Sequence, residues 1–88
     1  METTGLMRKT AVIYSNRSQE CERMAQLLKA LPHVGEFHEY FLGKHFTETA
    51  FMDEFGPDAT FPQVSLGYEH LGSMKETLQY LDKKGMLL

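Results

Sequence analysis

The chain has 88 residues, of which 42% are apolar and 24% charged, and its formal net charge is -3. A chain of this length buries roughly 60 to 65% of its unfolded surface, enough for one core, so we expect a single domain over residues 1–88. Binding to nucleic acid or anionic lipid needs clustered lysines and arginines, which an acidic chain does not favour. Composition therefore argues against a direct nucleic-acid or membrane partner.

The amino-terminal stretch "METTGLMRKT" holds neither a seven-residue apolar run nor a small-residue cleavage site. No stretch approaches the roughly 20 apolar residues that span a bilayer. The single cysteine cannot form an internal disulfide, which fits a reducing compartment. We therefore expect a cytoplasmic, monomeric protein.

The first half of the chain predicts a strand, a helix and a second strand. Residues 9–14, "KTAVIY", form a short β-branched run that ends at the polar cluster "SNRS". An apolar stripe at helical spacing follows and ends before Pro32, which cannot continue a helix. The stripe comprises Cys21, Met24, Ala25, Leu28 and Leu31. Apolar and polar residues then alternate in "EFHEYFL", residues 36–42, in a way that indicates a strand.

The second half predicts a short helix, a hairpin and a final helix. Thr47 can cap the short helix, with Phe46 and Phe51 as a hydrophobic staple and Gly56 as a stop. A hairpin follows, with strands at 62–66 and 69–71 and a turn at Gly67-Tyr68.

The last helix begins with the sequence of a capping box, in which the side chains of Ser73 and Glu76 each bond the other's backbone amide. Lys83, Lys84 and Gly85 mark its end. The resulting order is β-α-β-α-β-β-α. A helical crossover joins parallel strands and a hairpin joins antiparallel ones, so we expect an α/β fold, a four-stranded mixed sheet flanked by three helices.

That order is the one found in small thioredoxin-like folds, and several motifs resemble glutaredoxin over residues 9–84. The motifs are Tyr14-Ser15, Leu27-Leu28 in the first helix, "TFPQV" at 60–64 and "GYEHLGS" before the last helix. "TFPQV" followed at this distance by "HLGS" is the most specific of them. Short acidic chains with "QEC" at this place also resemble those of T4-like phages of cyanobacteria, which would place the protein in the host cytoplasm.

The resemblance implies a glutathione site and a cis peptide bond between Phe61 and Pro62. In glutaredoxins the backbone before this proline holds the cysteinyl part of glutathione, and the turn before the last helix holds the γ-glutamyl carboxylate at a helix N-terminus. The residues implicated here are Arg17, Thr60, Phe61, Pro62, Gly72, Ser73 and Met74. The family's second glycine and acid in this turn become Ser73 and Lys75, although Glu76 remains nearby.

The cysteine departs from the family pattern. Glutaredoxins carry C-x-x-C or C-x-x-S, and the first cysteine is the nucleophile. Counting back from Leu27-Leu28 puts Cys21 at the second position and Ser18 at the first. A helix N-terminus stabilises a thiolate but cannot make an alkoxide of a serine. Burial and the neighbouring glutamates disfavour a thiolate at Cys21, whereas Arg17 and Arg23 favour one, so the sequence leaves its reactivity open.

Two functions from different classes follow. In the first, the protein is a glutathione-linked thiol-disulfide oxidoreductase. The Cys21 thiolate attacks a mixed disulfide, such as that of a disulfide-bearing protein partner, and glutathione resolves it. In the second, Ser18 caps the helix, Cys21 is a core residue, and the Phe61-Pro62 groove of a redox-silent module binds glutathione or a peptide. A third function has Ser18 donate to a bound glutathione thiolate, as in glutathione transferases, but the chain has no room for their helical domain.

We predict no metal site. The four histidines show neither a C-x-x-C partner nor H-x-x-x-H spacing. An iron-sulfur cluster of the glutaredoxin type would need a thiolate where Ser18 stands.

Overall fold

A computed structural model of the protein describes residues 8–87. It contains four strands and three helices in the predicted order: β1 (Lys9–Ser15), α1 (Gln19–Ala30), β2 (Val34–Phe41), α2 (Glu48–Phe55), β3 (Gln63–Leu66), β4 (Glu69–Gly72) and α3 (Met74–Lys83). The predicted α/β architecture of a four-stranded mixed sheet with three helices is confirmed. None of the helices in this part of the chain has the length and apolar character needed to cross a bilayer.

The strands lie in the order β2-β1-β3-β4. β1 and β2 are parallel because α1 returns the chain to the same end of the sheet. β1 pairs antiparallel with β3, and β3 pairs antiparallel with β4 through the predicted turn at Gly67, whose φ is 65°. Such a positive φ suits glycine, which has no Cβ to clash with the backbone.

The main core lies between one face of the sheet and the helices α1 and α3. Alternate β1 residues, Ala11 and Ile13, are fully buried there and pack with the stripe of α1. The other members of this core are Met24, Ala25, Leu28, Leu31, Val64, Leu66, Leu71 and Leu81. Leu31 belongs to the core although it lies just past the end of α1 and serves as its C-cap.

The opposite face of the sheet is covered by α2. Tyr14 follows Ile13 along β1, so its side chain points to this face, where its ring contacts Phe46 and Phe55 at centroid distances of 5.4 and 5.1 Å. The predicted staple forms across the start of α2, with the rings of Phe46 and Phe51 stacked at 5.8 Å. The cap is also as predicted, since Thr47 Oγ1 accepts from the amide of Ala50 at 3.1 Å.

The largest boundary differences from the sequence expectation are in α1 and β2, while β1, β3 and β4 each differ by one residue. α1 begins at Gln19, two residues before the first apolar residue of its stripe, because Ser18 caps it. β2 begins at Val34 and ends at Phe41, because pairing with β1 extends the strand in front of its alternating segment. Apolar periodicity marks the buried residues of an element, whereas caps and pairing partners set its ends.

Candidate functional site

The loop between β1 and α1 holds its shape through two side-chain oxygens. Asn16 Oδ1 accepts from the amide of Ser18 at 3.1 Å, and the buried Ser15 Oγ accepts from the amide of Arg17 at 2.9 Å. The backbone of Arg17 lies in the left-handed region, with φ of 68°, which residues other than Asn and Gly adopt rarely. The two hydrogen bonds therefore stabilise a tight turn immediately before Ser18.

Ser18 is the N-cap of α1. Its backbone is extended, and its Oγ accepts from the amide of Cys21 at 3.3 Å. This is the usual role of serine at a helix N-terminus. The Ser18 hydroxyl, which the sequence resemblance puts at the nucleophile position, thus caps the helix in this structure.

Cys21 lies in the first turn of α1, and its side chain is fully buried. Its Sγ donates to Asn16 Oδ1 over 3.2 Å. This hydrogen bond uses the thiol proton, and a thiolate could not donate it. The sulfur is therefore both enclosed and bound as a thiol.

Arg17 lies on a different side of the site from the proline loop. Its guanidinium carbon is 4.0 Å from the centroid of the Phe41 ring, which belongs to β2. β2 and β3 lie on opposite sides of β1 and are roughly 10 Å apart, at the usual spacing between strands. The cation–π contact therefore draws the Arg17 charge away from Phe61 and Pro62, with which the sequence grouped it.

The peptide bond between Phe61 and Pro62 is cis, as predicted. Pro62 is buried, and Thr60 offers its carbonyl oxygen to Gln63 Nε2 at 2.8 Å. The other end of that amide, Gln63 Oε1, lies 2.7 Å from His70 Nε2. Gln63 thus ties the proline loop to β4, in a contact that the sequence analysis did not anticipate.

The backbone of Phe61 is unpaired. Within residues 8–87 its N–H and C=O take part in none of the turn, loop or side-chain hydrogen bonds, and the ladder between β1 and β3 begins only at Gln63. Backbone groups of this kind need water or a ligand as partner. Phe61 can therefore pair with an extended chain laid alongside it.

The turn between β4 and α3 contains the predicted capping box. The amide of Ser73 donates to Glu76 Oε1 at 2.9 Å, and the Ser73 hydroxyl donates to the same oxygen. These hydrogen bonds from Ser73 hold the pKa of the Glu76 carboxyl below its ordinary value of 4.5. Gly72 precedes the box with φ of 110°, where a Cβ would approach Glu76 to 3.0 Å, so this position requires glycine.

Met74, the first residue of α3, has a half-buried side chain that packs against the main core. Its amide and that of Lys75 have no acceptor among the hydrogen bonds of the described residues. Free amides in the first turn of a helix attract anions. Met74 can therefore contribute a backbone donor to a ligand.

The strand register brings most of the predicted residues to one end of the sheet. Tyr14, near the end of β1, pairs with Gln63 at the start of β3, and Val64 pairs with Gly72 at the end of β4. The start of α1, the proline loop and the start of α3 accordingly lie at the same end. A cavity of about 460 Å³ separates the loop after α2 from the turn before α3. Its lining includes Asp58, Ala59, Gln63, Gly72, Ser73 and Glu76.

The sequence analysis missed Asn16 as a structural residue of the site. An asparagine two residues before a serine N-cap commonly folds its side chain back onto the backbone, so its position was a usable signal. Its second hydrogen bond, to Cys21, could not be predicted from the spacing of residues in the sequence. This bond depends on the conformation of the loop between β1 and α1.

Within residues 8–87 no group of three or more His, Cys, Asp or Glu side chains is arranged to hold a metal ion. A scan against protein-family models found no match for this chain. A search of curated proteins found no significant match either.

Proposed function

We propose that this chain is a glutaredoxin-like module of thioredoxin-like fold that binds glutathione, or a short extended peptide like it, at the loop before β3. The observation that carries the proposal is the unpaired backbone N–H and C=O of Phe61. A peptide that pairs with them gains directional hydrogen bonds, as in strand addition. The order of the elements and the motifs of residues 60–64 and 67–73 support the assignment to this fold family.

The cavity between the loop after α2 and the turn before α3 suits a ligand with both charges of an amino acid. Asp58 and Glu76 line it and favour an ammonium group. The free amides of Met74 and Lys75 at the start of α3 favour a carboxylate. A γ-glutamyl group carries both, and in glutathione it is followed by the cysteinyl peptide that would pair with Phe61.

The site does not support efficient thiol chemistry. A nucleophile must reach the disulfide it attacks, and Cys21 is enclosed and donates its thiol proton to Asn16. Ser18 occupies the exposed end of the helix and is used as its cap. We therefore assign the module a binding role without turnover.

One observation favours the oxidoreductase as a second candidate. The partner of the Cys21 sulfur, Asn16, is an exposed side chain in a short loop. Opening of this loop alone would expose the sulfur at the N-terminal end of α1. A slow reaction through Cys21 would then be possible, with glutathione resolving the mixed disulfide.

Binding is tested by titrating ¹⁵N-labelled protein with reduced glutathione. We expect saturable amide shifts at residues 60–62 and 72–75, with a dissociation constant of about 1 mM, since the second glycine and acid of the family turn are replaced. Asp58→Asn should weaken binding several-fold. Asp82→Asn, which removes an exposed acid near the end of α3, is the control and should not. Unmoved amides at saturating glutathione would refute the proposal.

Turnover is tested with a mixed disulfide of glutathione and a small thiol. The wild type should match Cys21→Ser, and Ser18→Cys, which places a thiol at the helix N-terminus, should be faster than both. If the wild type exceeds Cys21→Ser, the oxidoreductase function is the correct one.

A further inference from the structure

A second cavity, of about 180 Å³, lies on the face of the sheet that α2 covers. It is smaller than the cavity of about 460 Å³ between the loop after α2 and the turn before α3. Its walls are four aromatic rings, one small side chain and one acid: Tyr14, Phe46, Phe51, Phe55, Ala50 and Glu54.

Three pairs of rings around this cavity stand at steep angles, while Phe46 and Phe51 are stacked at 26°. Tyr14 meets Phe46 at 79° and Phe55 at 61°, with centroids 5.4 and 5.1 Å apart. Phe51 meets Phe55 at 52° and 4.9 Å. Rings packed in this way give the cavity several ring surfaces in different directions instead of one flat wall.

The rings are not simply buried core. Of the four, only Phe51 is buried, at 3% exposure, whereas Tyr14, Phe46 and Phe55 remain half-exposed and open to the cavity. The main core on the opposite face is closed by two helices, but this face has only the two turns of α2. The cavity is thus accessible from solvent.

The charge of the cavity is negative. Among residues 8–87, Glu54 is the only charged residue that lines it, and no lysine or arginine does. Glu54 makes no ion pair within residues 8–87. Burial, followed by the nearby Tyr40 and Glu54, raises the pKa of Tyr14, so the phenol adds no charge to that of Glu54.

We propose that this cavity binds a small organic cation bearing a quaternary or methylated ammonium group, held by ring faces and the Glu54 carboxylate. Aromatic faces carry negative potential and attract such cations, whose methyl groups shed water at little cost. A metal ion would be too strongly hydrated, and a neutral ligand would leave Glu54 unused. The net charge of -3 over the chain adds a weak general attraction for cations. This site is separate from the proposed glutathione site, and neither depends on the other.

The test uses tetramethylammonium chloride as the probe and follows the side-chain resonances of Tyr14, Phe46 and Phe55. Sodium chloride at equal concentration controls for ionic strength, and tert-butanol is a neutral molecule of nearly the same shape. We expect saturable shifts with tetramethylammonium, with a dissociation constant of about 10 mM, as three half-exposed rings would give. Sodium chloride should cause no saturable shift, and tert-butanol should bind at least several-fold more weakly.

Two variants that each remove one negative charge test whether the Glu54 carboxylate contributes to binding. Glu54→Gln should weaken tetramethylammonium binding about two- to fivefold, while Asp53→Asn, on the neighbouring residue outside the cavity, should leave it unchanged. Both side chains are exposed, so neither change threatens folding. Equal binding of tert-butanol, no saturation, or equal loss in both variants would overturn the proposal.

Discussion

Asn16 joins the loop and the thiol through a single oxygen. Its Oδ1 accepts from the Ser18 amide and from Cys21 Sγ, so the same atom shapes the approach to α1 and restrains the sulfur. Neither function is visible in composition or periodicity. The thiol is accessible only if this arrangement opens.

We predict that Asn16→Ala lowers the free energy of unfolding by about 1 kcal/mol. The buried thiol loses its hydrogen-bond acceptor, and the Ser18 amide must donate to water instead. Urea unfolding measures this cost. The variant should also react faster with an aromatic disulfide reagent under native conditions. Asn16→Asp retains an acceptor at this place and is the matched control. An unchanged reaction rate in Asn16→Ala would show that Asn16 does not restrain the thiol.

At the level of the elements, local signals predicted most of the structure. The capping box at Ser73 and Glu76 and the staple of α2 both form, because each depends on residues three to five positions apart. The start of β2 was placed wrongly because its first residues, Val34 and Gly35, owe their strand conformation to pairing with β1. Such pairing is a long-range property that no local window contains.

The capping box makes the stability of α3 depend on pH. Hydrogen bonds from Ser73 lower the pKa of Glu76 in the folded state, so its stabilising effect is present above pH 4.5 and is lost as the pH falls through the folded-state value. We predict that Glu76→Gln, which resembles the protonated acid, unfolds at a lower temperature than the wild type at pH 7. The difference in melting temperature between the two proteins should shrink as the pH falls from 4.5 toward 3.

Glu48→Gln is the control for that experiment. Glu48 lies in the first turn of α2 but accepts no side-chain hydrogen bond within the described residues, so it reports only the general effect of an acid near a helix start. If the difference between wild type and Glu76→Gln persists unchanged at pH 3, the capping box is not its cause.

For the molecule as a whole, the sequence predicted the α/β architecture and the end of the sheet where most of the candidate residues lie. Element order follows from periodicity and turn residues, and the positions of Phe61, Pro62 and Ser73 follow from the order of the strands. The burial of Cys21 was foreseen as one possibility, from its place on the α1 stripe. The direction of Arg17 was not, because it depends on a left-handed backbone and on the Phe41 ring.

The two faces of the sheet differ in how much they stabilise the fold and in how open they are to solvent. Within the described residues, the face under α1 and α3 holds ten buried apolar residues in one cluster, whereas the face under α2 has Phe51 as its only buried ring. A domain of this length has a free energy of unfolding of roughly 4 to 13 kcal/mol. The main core must therefore supply most of it, which leaves the α2 face free to keep its rings half-exposed.

Adjacent leucines in α1 allow that difference to be tested. Leu28 is fully buried in the main core, while Leu27 is half-buried at its margin. We predict that Leu28→Ala lowers the free energy of unfolding by about 2 to 5 kcal/mol, since it leaves a cavity that the closed core cannot fill. Leu27→Ala should cost less than half as much, because neighbouring side chains and water can occupy the space. The two changes have equal effects on helix propensity, so urea unfolding of both isolates the packing difference. Equal losses would mean that the core between α1 and the sheet is looser than the structure indicates, and that Cys21 is less enclosed than its burial suggests.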